Sequence, residues 1–339
     1  MTVMTYAEAA RLALEQEMER DPRVWALGED LGPEGGVAGQ YRGLQQKFGP
    51  ERILDTPISE SMIMGSAVGA AICGTRPVVE LRYADFGFCA ADEIINQAAK
   101  IRYMLGGQVR APLVIRQSIG MRNGMAAQHS QNNEALWVHI PGLVVVAPGT
   151  PADTHGLLKA AIRCDDPVVF LEHKELWPTT GEVDPEAGPL PIGVAKLVRP
   201  GSDATLVTWS STLARALEAA DALAQSGISL EVIDLRTLWP WDRDMVFASV
   251  ARTGRLVVAH ESVRVGGFGA ELVAEVTQTQ FPLLKAAPIR IASPRAPVPY
   301  SKPLEDMCRV TASMIAAAVR TTLSDKPRQA GPARPALQT

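Results

Sequence analysis

Aromatic residues and cysteine are scarce in this chain, and long apolar runs are missing. Only 5% of the residues are aromatic, and 4 of the 339 are cysteine. No apolar run reaches the length of a transmembrane helix, which excludes one. The 33 Lys and Arg residues are outnumbered by 37 Asp and Glu, with no basic cluster. These absences argue against a membrane protein and against a nucleic-acid-binding protein.

The cysteines and the N-terminus indicate the cellular compartment of the protein. The cysteines form no C-x-x-C pair and are dispersed, at Cys73, Cys89, Cys164 and Cys308. The first residues lack the basic and apolar regions of a signal peptide. We therefore expect a cytoplasmic protein whose thiols are reduced and buried as small apolar side chains.

Apolar runs alternate with helical patterns along the chain, of which 47% is apolar. A capping box at Thr5 and Glu8 predicts a helix from Tyr6 to Asp21. Strands are predicted at 24–27, 78–81, 113–116, 143–147, 168–171, 204–209, 230–235 and 256–259. Helices are predicted at 92–104, after Thr150, at 213–225 and at 270–279. Continuous apolar strands between helices predict an α/β fold with mostly parallel sheets covered on both faces.

Composition divides the chain into parts. Residues 178–203 are rich in Pro and Gly and form the best linker candidate. We therefore expect one domain at 1–177 and a second, smaller α/β domain at 204–323. Residues 324–339 are rich in Pro and Ala, which predicts a disordered tail.

The most informative motif is Asp55-Thr-Pro-Ile-Ser-Glu60, which precedes a helical run of small residues. Gly65 and Gly69 lie four residues apart, so they share one helix face and permit a close contact. A carboxylate beside such a contact can be shielded from water, which tunes its proton affinity. The alternative is a tightly packed core helix with an exposed acid in its first turn.

Two further segments place polar residues where ligands bind in parallel sheets. Glu29 and Asp30 directly follow a predicted strand, although the sequence alone favours solvated loop acids at these positions. His129 lies in the polar sequence Gln-His-Ser-Gln, between a Gly-rich loop and a predicted strand. The alternative for His129 is a hydrogen-bonded structural histidine.

These segments together resemble the β subunits of thiamine-diphosphate-dependent 2-oxo acid dehydrogenases, the decarboxylating component of multienzyme complexes. The resemblance covers residues 4–320, and its motifs lie at 28–30, 52–60, 96–100, 126–131, 140–142, 266–271 and 297–300. The sequences at 71–74, 136–141 and 172–174 are most similar to acetoin dehydrogenase β subunits.

The resemblance implies a pyrimidine-binding transketolase-like domain followed by a transketolase C-terminal-type domain, in an α2β2 heterotetramer. The superfamily's diphosphate motif begins with Gly-Asp-Gly, which does not occur here. The resemblance therefore implies that an α subunit holds the diphosphate and Mg²⁺. It further implies acyl transfer to the lipoyl group of an acyltransferase core.

The resemblance also assigns roles to individual residues. Glu60 would hydrogen-bond N1′ of the aminopyrimidine and so promote deprotonation of the thiazolium C2. Glu29 resembles a second acid, linked to the first through water. Phe86 resembles the aromatic residue that packs on the pyrimidine ring. His129 resembles the histidine that stabilises reaction intermediates and assists acyl transfer.

Some positions depart from this pattern. Arg82 stands where many relatives carry an apolar residue in contact with the cofactor, and its charge could instead face the substrate or the partner. Members of the family often bind a structural K⁺, which here implies carbonyls near Leu113, Ala161, Ile162, Cys164 and Asp166. Cys164 replaces the usual acid of that K⁺ site. Asn132 and Asn133 are also unusual and could alter the substrate pocket.

Two other functions remain open at this point. One is a split transketolase-like enzyme that uses an aldehyde acceptor instead of lipoyl. The other is a non-catalytic scaffold subunit that joins α subunits to the acyltransferase core. A scaffold requires neither Glu60 nor His129.

Overall fold

The computed structural model describes residues 1–324, so all but the first residue of the predicted tail at 324–339 lies outside the described part. The strands are β1 (Thr2–Thr5), β2 (Val24–Gly28), β3 (Ile53–Asp55), β4 (Arg76–Glu80), β5 (Val114–Ile119), β6 (Val144–Val146), β7 (Val168–His173), β8 (Thr180–Val183), β9 (Lys196–Arg199), β10 (Ala204–Thr208), β11 (Leu230–Asp234), β12 (Thr237–Trp239), β13 (Leu256–Val263) and β14 (Ile289–Ser293).

The α-helices are α1 (Tyr6–Arg20), α2 (Leu44–Phe48), α3 (Glu60–Ile72), α4 (Ile101–Met104), α5 (Glu134–Val138), α6 (Pro151–Arg163), α7 (Thr212–Ala224), α8 (Arg243–Thr253), α9 (Gly269–Gln280), α10 (Lys302–Asp306) and α11 (Ala312–Ser324). Short 3₁₀ helices lie at Ala84–Ala90, Ala127–His129 and Phe281–Leu283, and a π-helix lies at Glu93–Ala98.

The first sheet has seven strands in the order β12-β6-β7-β5-β4-β2-β3. Every neighbouring pair is parallel except β12 and β6. Strands β5 and β7 are buried along their whole length, and apolar cores lie on both faces of the sheet. The predicted parallel sheet is confirmed. The carboxyl ends of β2, β4 and β5 lie at the same edge, which is where ligands bind in such sheets.

The second sheet has five strands in the order β14-β13-β10-β11-β9. Its strands are parallel except β9, which is antiparallel to β11. Helices α7 and α11 pack on one face of this sheet, and α8 and α9 pack on the other. The prediction of a second, smaller α/β unit is therefore confirmed.

The segment predicted as a linker, 178–203, contains two strands. Strand β8 pairs antiparallel with β1, and β9 forms one edge of the second sheet. One buried ion pair and one hydrogen bond also join the two sheets' units. Arg236 donates to Asp153 over 2.9 Å, and the backbone N–H of Gly124 donates to the Glu305 carboxylate over 2.6 Å. The two units are therefore in direct polar contact.

Two expectations are corrected. The helix expected at 92–104 is broken into the π-helix and α4, because the Ala99 N–H bonds to the Ile94 carbonyl and the backbone of Gly142 lies against Ala99. Of the cysteines, Cys308 is buried and Cys164 is half-buried, whereas Cys73 and Cys89 are exposed. Cys73 follows the end of α3, and Cys89 lies beside Phe88 on the exposed side of the Ala84–Ala90 helix. Among residues 1–324, no helix has both the length and the apolar character needed to cross a membrane.

Candidate active site

Two carboxyl groups, Glu29 and Glu60, lie together at the carboxyl edge of the first sheet. Glu29 directly follows β2 and is 9% exposed, whereas Glu60 is the first residue of α3 and is half-buried. The Thr56 N–H donates to the Gly28 carbonyl over 3.0 Å, which holds the segment after β3 beside the end of β2. Burial raises the pKa of Glu29, and the nearby charge of Glu60 raises it further. The two carboxyl groups are therefore close enough to interact electrostatically.

Arg82 follows the neighbouring strand β4 and forms an ion pair with Asp30. Both residues have positive φ, 58° for Asp30 and 46° for Arg82. Non-glycine residues adopt this conformation at a cost, and it is common at functional sites. The Arg82 charge also opposes the rise in the pKa of Glu29. Arg82 thus lies beside the carboxyl pair and is tied to it through Asp30.

Three rings meet beyond the carboxyl edge of the same sheet. The ring of His129 lies 4.7 Å from Tyr83 and 5.4 Å from Phe86, centre to centre, in edge-to-face geometry. Tyr83 and Phe86 are themselves 5.5 Å apart. His129 and Phe86 remain half-exposed, whereas Tyr83 is buried. The cluster therefore fixes one side of the imidazole and leaves another side accessible.

Hydrogen bonds connect the cluster to the carboxyl pair and to the loop that carries His129. Ser61, next to Glu60, donates to the Cys89 carbonyl over 2.6 Å, so the first turn of α3 rests on the Ala84–Ala90 helix that carries Phe86. Gln131 donates to Asp85 over 2.8 Å, and Asn133 donates to the Ala84 carbonyl over 2.9 Å. These bonds tie three separate segments into one site.

Lys174 lies behind the aromatic cluster and was not singled out from the sequence. Its Nζ is buried 5.5 Å from the centre of the Tyr83 ring and has no hydrogen-bond partner among residues 1–324. Burial lowers the pKa of Lys174 to about 8, although Asp85 opposes this. The sequence gives little indication that Lys174 belongs to the site, because this lysine simply follows an apolar strand.

An open cavity of about 540 Å³ borders the His129 loop on the side of the second sheet. Its lining includes Gln128 and Ser130, which flank His129, and Arg295 from the second sheet's unit. The Ser130 hydroxyl is buried without a protein partner in the described part of the chain. The cavity offers space for a ligand next to the histidine.

Four of the five carbonyls predicted for a K⁺ ion accept hydrogen bonds from donors of the chain itself. Arg76 donates to the carbonyls of Ile162 and Cys164 over 3.0 and 2.9 Å. The carbonyls of Leu113 and Ala161 accept backbone N–H groups of Val168 and Cys164. No such donor to the Asp166 carbonyl is seen within residues 1–324. The Arg76 guanidinium supplies the positive charge next to these carbonyls, so their arrangement does not fit a K⁺ ion.

Two family descriptions match the chain. The transketolase pyrimidine-binding domain matches residues 2–180, and the transketolase C-terminal domain matches residues 193–315. The chain is 49% identical over 321 residues to the β subunit of acetoin:2,6-dichlorophenolindophenol oxidoreductase from Cupriavidus necator, covering 92% of this chain and 95% of the relative. It belongs to the β subunits of the acetoin and 2-oxo acid dehydrogenases.

Other relatives agree with this membership. The 2-oxoisovalerate dehydrogenase β subunit of Bacillus subtilis is 41% identical over 322 residues, covering 94% of this chain and 98% of the relative. A solved structure named as a split gene transketolase, inactive β4 tetramer, matches with a TM-score of 0.79 and 25% identity, covering 95% of this chain and 99% of that chain. The family implies thiamine diphosphate as the cofactor and an α subunit as the partner.

Proposed function

We propose that this chain is the catalytic β subunit of an α2β2 acetoin or 2-oxo acid dehydrogenase that transfers the acyl group to lipoyl. The observation that carries the proposal is the convergence of Glu29, Glu60 and the Tyr83–Phe86–His129 cluster at one sheet edge. The similarity to the acetoin oxidoreductase subunit supports acetoin as the first substrate to test, with pyruvate and branched 2-oxo acids as the alternatives.

The residues fit the aminopyrimidine end of thiamine diphosphate. When bound, this cofactor would supply a carbon acid whose deprotonated form can add to a substrate carbonyl, and a ring that can delocalise the charge left by bond cleavage. Glu60 would hold a proton between its carboxyl oxygen and N1′ of the aminopyrimidine. Burial raises the pKa of Glu29, which would favour proton exchange with Glu60. The Phe86 ring would pack against the pyrimidine.

The diphosphate and Mg²⁺ are assigned to the α subunit. The chain contains no Gly-Asp-Gly sequence. Arg82, the cation beside the carboxyl pair, is already bound by Asp30. We therefore assign Arg82 to the orientation of the substrate or the α subunit, and not to the diphosphate.

His129 would act on the substrate and on the acyl acceptor. Its imidazole is held by two rings on one side and is open on another, so it can donate a proton to an oxygen or sulfur atom that enters there. The adjacent cavity would admit the substrate or the lipoyl arm.

A split transketolase-like enzyme is the second candidate, because 95% of the chain is covered by the structural match to a protein of that name. The two functions differ in the acceptor, which is lipoyl in one and an aldehyde in the other. A non-catalytic scaffold has less support, since it would not require the clustered carboxyl and imidazole groups.

The test is to co-purify the chain with its α subunit and to measure turnover of acetoin, pyruvate and branched 2-oxo acids. A lipoyl domain, an artificial oxidant and an aldehyde serve as alternative acceptors. We expect turnover with lipoyl, and a larger loss with lipoyl than with the artificial oxidant in His129→Ala. Turnover with the aldehyde alone would favour the split transketolase. Turnover that is unaffected by both Glu60→Gln and His129→Ala would favour the scaffold.

A further inference from the structure

Residues 120–132 form a closed loop that carries His129. The loop has a first arm that begins at Gly120 and a second arm that ends at Asn132. The Gly120 N–H donates to the Gln131 carbonyl over 3.2 Å, which joins the two arms at the base of the loop. Gly120 has a φ of 86°, and a Cβ there would lie 1.9 Å from Nε2 of His173. The His173 ring therefore packs directly against the base of the loop, and only glycine fits at position 120.

The outer part of this loop has few anchors besides the hydrogen bond from the Gly124 N–H to Glu305 and the packing of His129 in the aromatic cluster. Residues 123–129 are exposed or half-buried, and Asn123, Gly124 and Ala126 all have positive φ. Segments with little buried apolar surface open easily unless polar contacts hold them. The position of the His129 ring therefore depends on how the two arms are fixed.

Glu261, on β13 of the second sheet, contacts both arms of the loop. Its Oε1 accepts hydrogen bonds from the Met121 N–H over 3.0 Å and from the Asn132 side-chain amide over 3.1 Å. The same oxygen lies 2.8 Å from Nε2 of His173. One carboxylate oxygen thus joins the first arm, the second arm and the base of the loop.

The surroundings of Glu261 keep it ionised and in place. Only 10% of its side chain is exposed. Burial acts to raise the pKa of Glu261, but the charge and hydrogen bond of His173 outweigh it and lower the pKa to about 2. The next residue, Ser262, donates to the Asn132 carbonyl over 3.0 Å. Consecutive residues of β13 therefore hold Asn132 from both sides.

We propose that Glu261 is a positioning residue for His129, because its Oε1 bridges the arms of the 120–132 loop and so fixes the imidazole against Tyr83. This inference rests on the catalytic role assigned to His129 under the proposed function. It gives the second sheet's unit a part in the reaction although that unit carries none of the groups assigned to catalysis.

The experiment uses the assembled α2β2 enzyme with thiamine diphosphate and a lipoyl domain. Glu261→Ala removes the bridge, and Glu261→Gln keeps the shape and one accepting oxygen without the charge. Misplacing a catalytic group by about 1 Å can cost up to about 10²-fold in rate. We expect kcat to fall by roughly 10- to 100-fold in Glu261→Ala and by less in Glu261→Gln, with KM for the substrate little changed.

A double-mutant cycle separates positioning from loss of stability. If Glu261 acts through His129, adding Glu261→Ala to His129→Ala should lower kcat by less than about threefold, because interacting sites are not additive. Glu231→Gln is the matched control, since Glu231 is a buried carboxylate of the same sheet that binds Arg252 and Gly201 instead of the loop. It should lower the melting temperature without lowering kcat.

The outcomes distinguish this inference from the proposed function. An unchanged lipoyl-dependent kcat in His129→Ala would overturn the role of His129 and this inference with it. A lower kcat in His129→Ala together with a normal kcat in Glu261→Gln and Glu261→Ala would overturn only the positioning role. Full additivity of the two Ala substitutions would also overturn it. If Glu261→Ala does not assemble, Glu261→Gln and its double variant with His129→Ala decide the question.

Discussion

The carboxyl group of Glu80 lies 3.9 Å from the guanidinium of Arg116, which instead donates two hydrogen bonds to Glu172. All three side chains are buried on neighbouring strands of the first sheet. One cation thus faces two carboxyl groups. Burial raises the pKa of Glu80 to about 7, and the attraction of Arg116 is too weak to prevent this.

This arrangement predicts that Glu80 lowers the free energy of unfolding as pH rises. Unfolded Glu80 ionises near pH 4.5, whereas folded Glu80 keeps its proton to about pH 7. The folded state therefore binds more protons within this window, and the unfolding free energy falls as pH rises through it. Glu80→Gln can still accept the hydrogen bond of Tyr41 and cannot ionise.

Urea unfolding of Glu80→Gln from pH 5 to pH 8 checks this prediction. Its stability relative to the parent chain should rise by about 1–3 kcal/mol across the range. The surface variant Glu186→Gln should show a constant difference. A flat difference for Glu80→Gln would mean that Glu80 is ionised in the folded chain throughout.

Glu60→Gln should keep the fold and the assembly and lose most of the turnover. Glutamine matches the shape of Glu60 but cannot share a proton with N1′, and general acid–base catalysis typically contributes about 10²–10⁴-fold in rate. Steady-state kinetics of the α2β2 enzyme measure the loss, with the exposed acid Glu51 changed to Gln as the control. A kcat within about threefold of the parent would remove Glu60 from this role.

Gly65→Leu should impair assembly and leave the isolated chain intact. A Cβ at Gly65 would meet only the Glu93 side chain, at 3.7 Å, and one at Gly69 would meet nothing within 4 Å among the described residues. The close contact predicted for this face is therefore not made within the described chain, and we assign it to another subunit. Overpacking that contact should cost about 1–3 kcal/mol.

Size-exclusion chromatography and thermal melting test this assignment. Gly188→Leu, at an exposed glycine with equal room around it, should assemble normally. A normal heterotetramer formed by Gly65→Leu would show that the face is free in the complex.

The stability of the chain should not depend on K⁺, because the Arg76 guanidinium donates to two of the predicted K⁺ carbonyls, those of Ile162 and Cys164. We expect equal melting temperatures in K⁺ and Na⁺ buffers of the same ionic strength. Arg76→Met should cost about 1–3 kcal/mol, since it leaves largely buried carbonyls without a donor. Arg110→Met, which loses only the ion pair with Asp165, should cost less. A melting temperature raised specifically by K⁺ in the parent chain would contradict the prediction.

The features predicted correctly from the sequence depend on neighbouring residues. The start of α1 follows from Thr5 and Glu8, whose reciprocal hydrogen bonds form the predicted capping box. Strands such as β7 can be predicted because they are buried on both faces, so their sequences are continuous apolar runs. The positions of Glu29 and His129 at the sheet edge follow from the same pattern.

The features that were missed depend on distant partners. Glu261 contacts a loop that lies more than 120 residues earlier in the sequence, and nothing around it indicates such a contact. Tyr83 is recognisable as part of the site only from the contact between its ring and that of His129. The break in the helix at 92–104 arises where Gly142 packs on the backbone of Ala99, so it has no local cause.

Strand β12 has a consequence for any attempt to express the first half of the chain alone. It comes from the second half of the sequence but pairs with β6, at the end of the first sheet. A fragment that stops near residue 180 would leave the backbone groups of Val145 and Val146 without this partner. Such an apolar, uncovered strand is a template for pairing with other molecules. The fragment should therefore aggregate even if its own core forms correctly. In the whole chain, pairing with β12 covers this edge and keeps β6 from associating with other molecules.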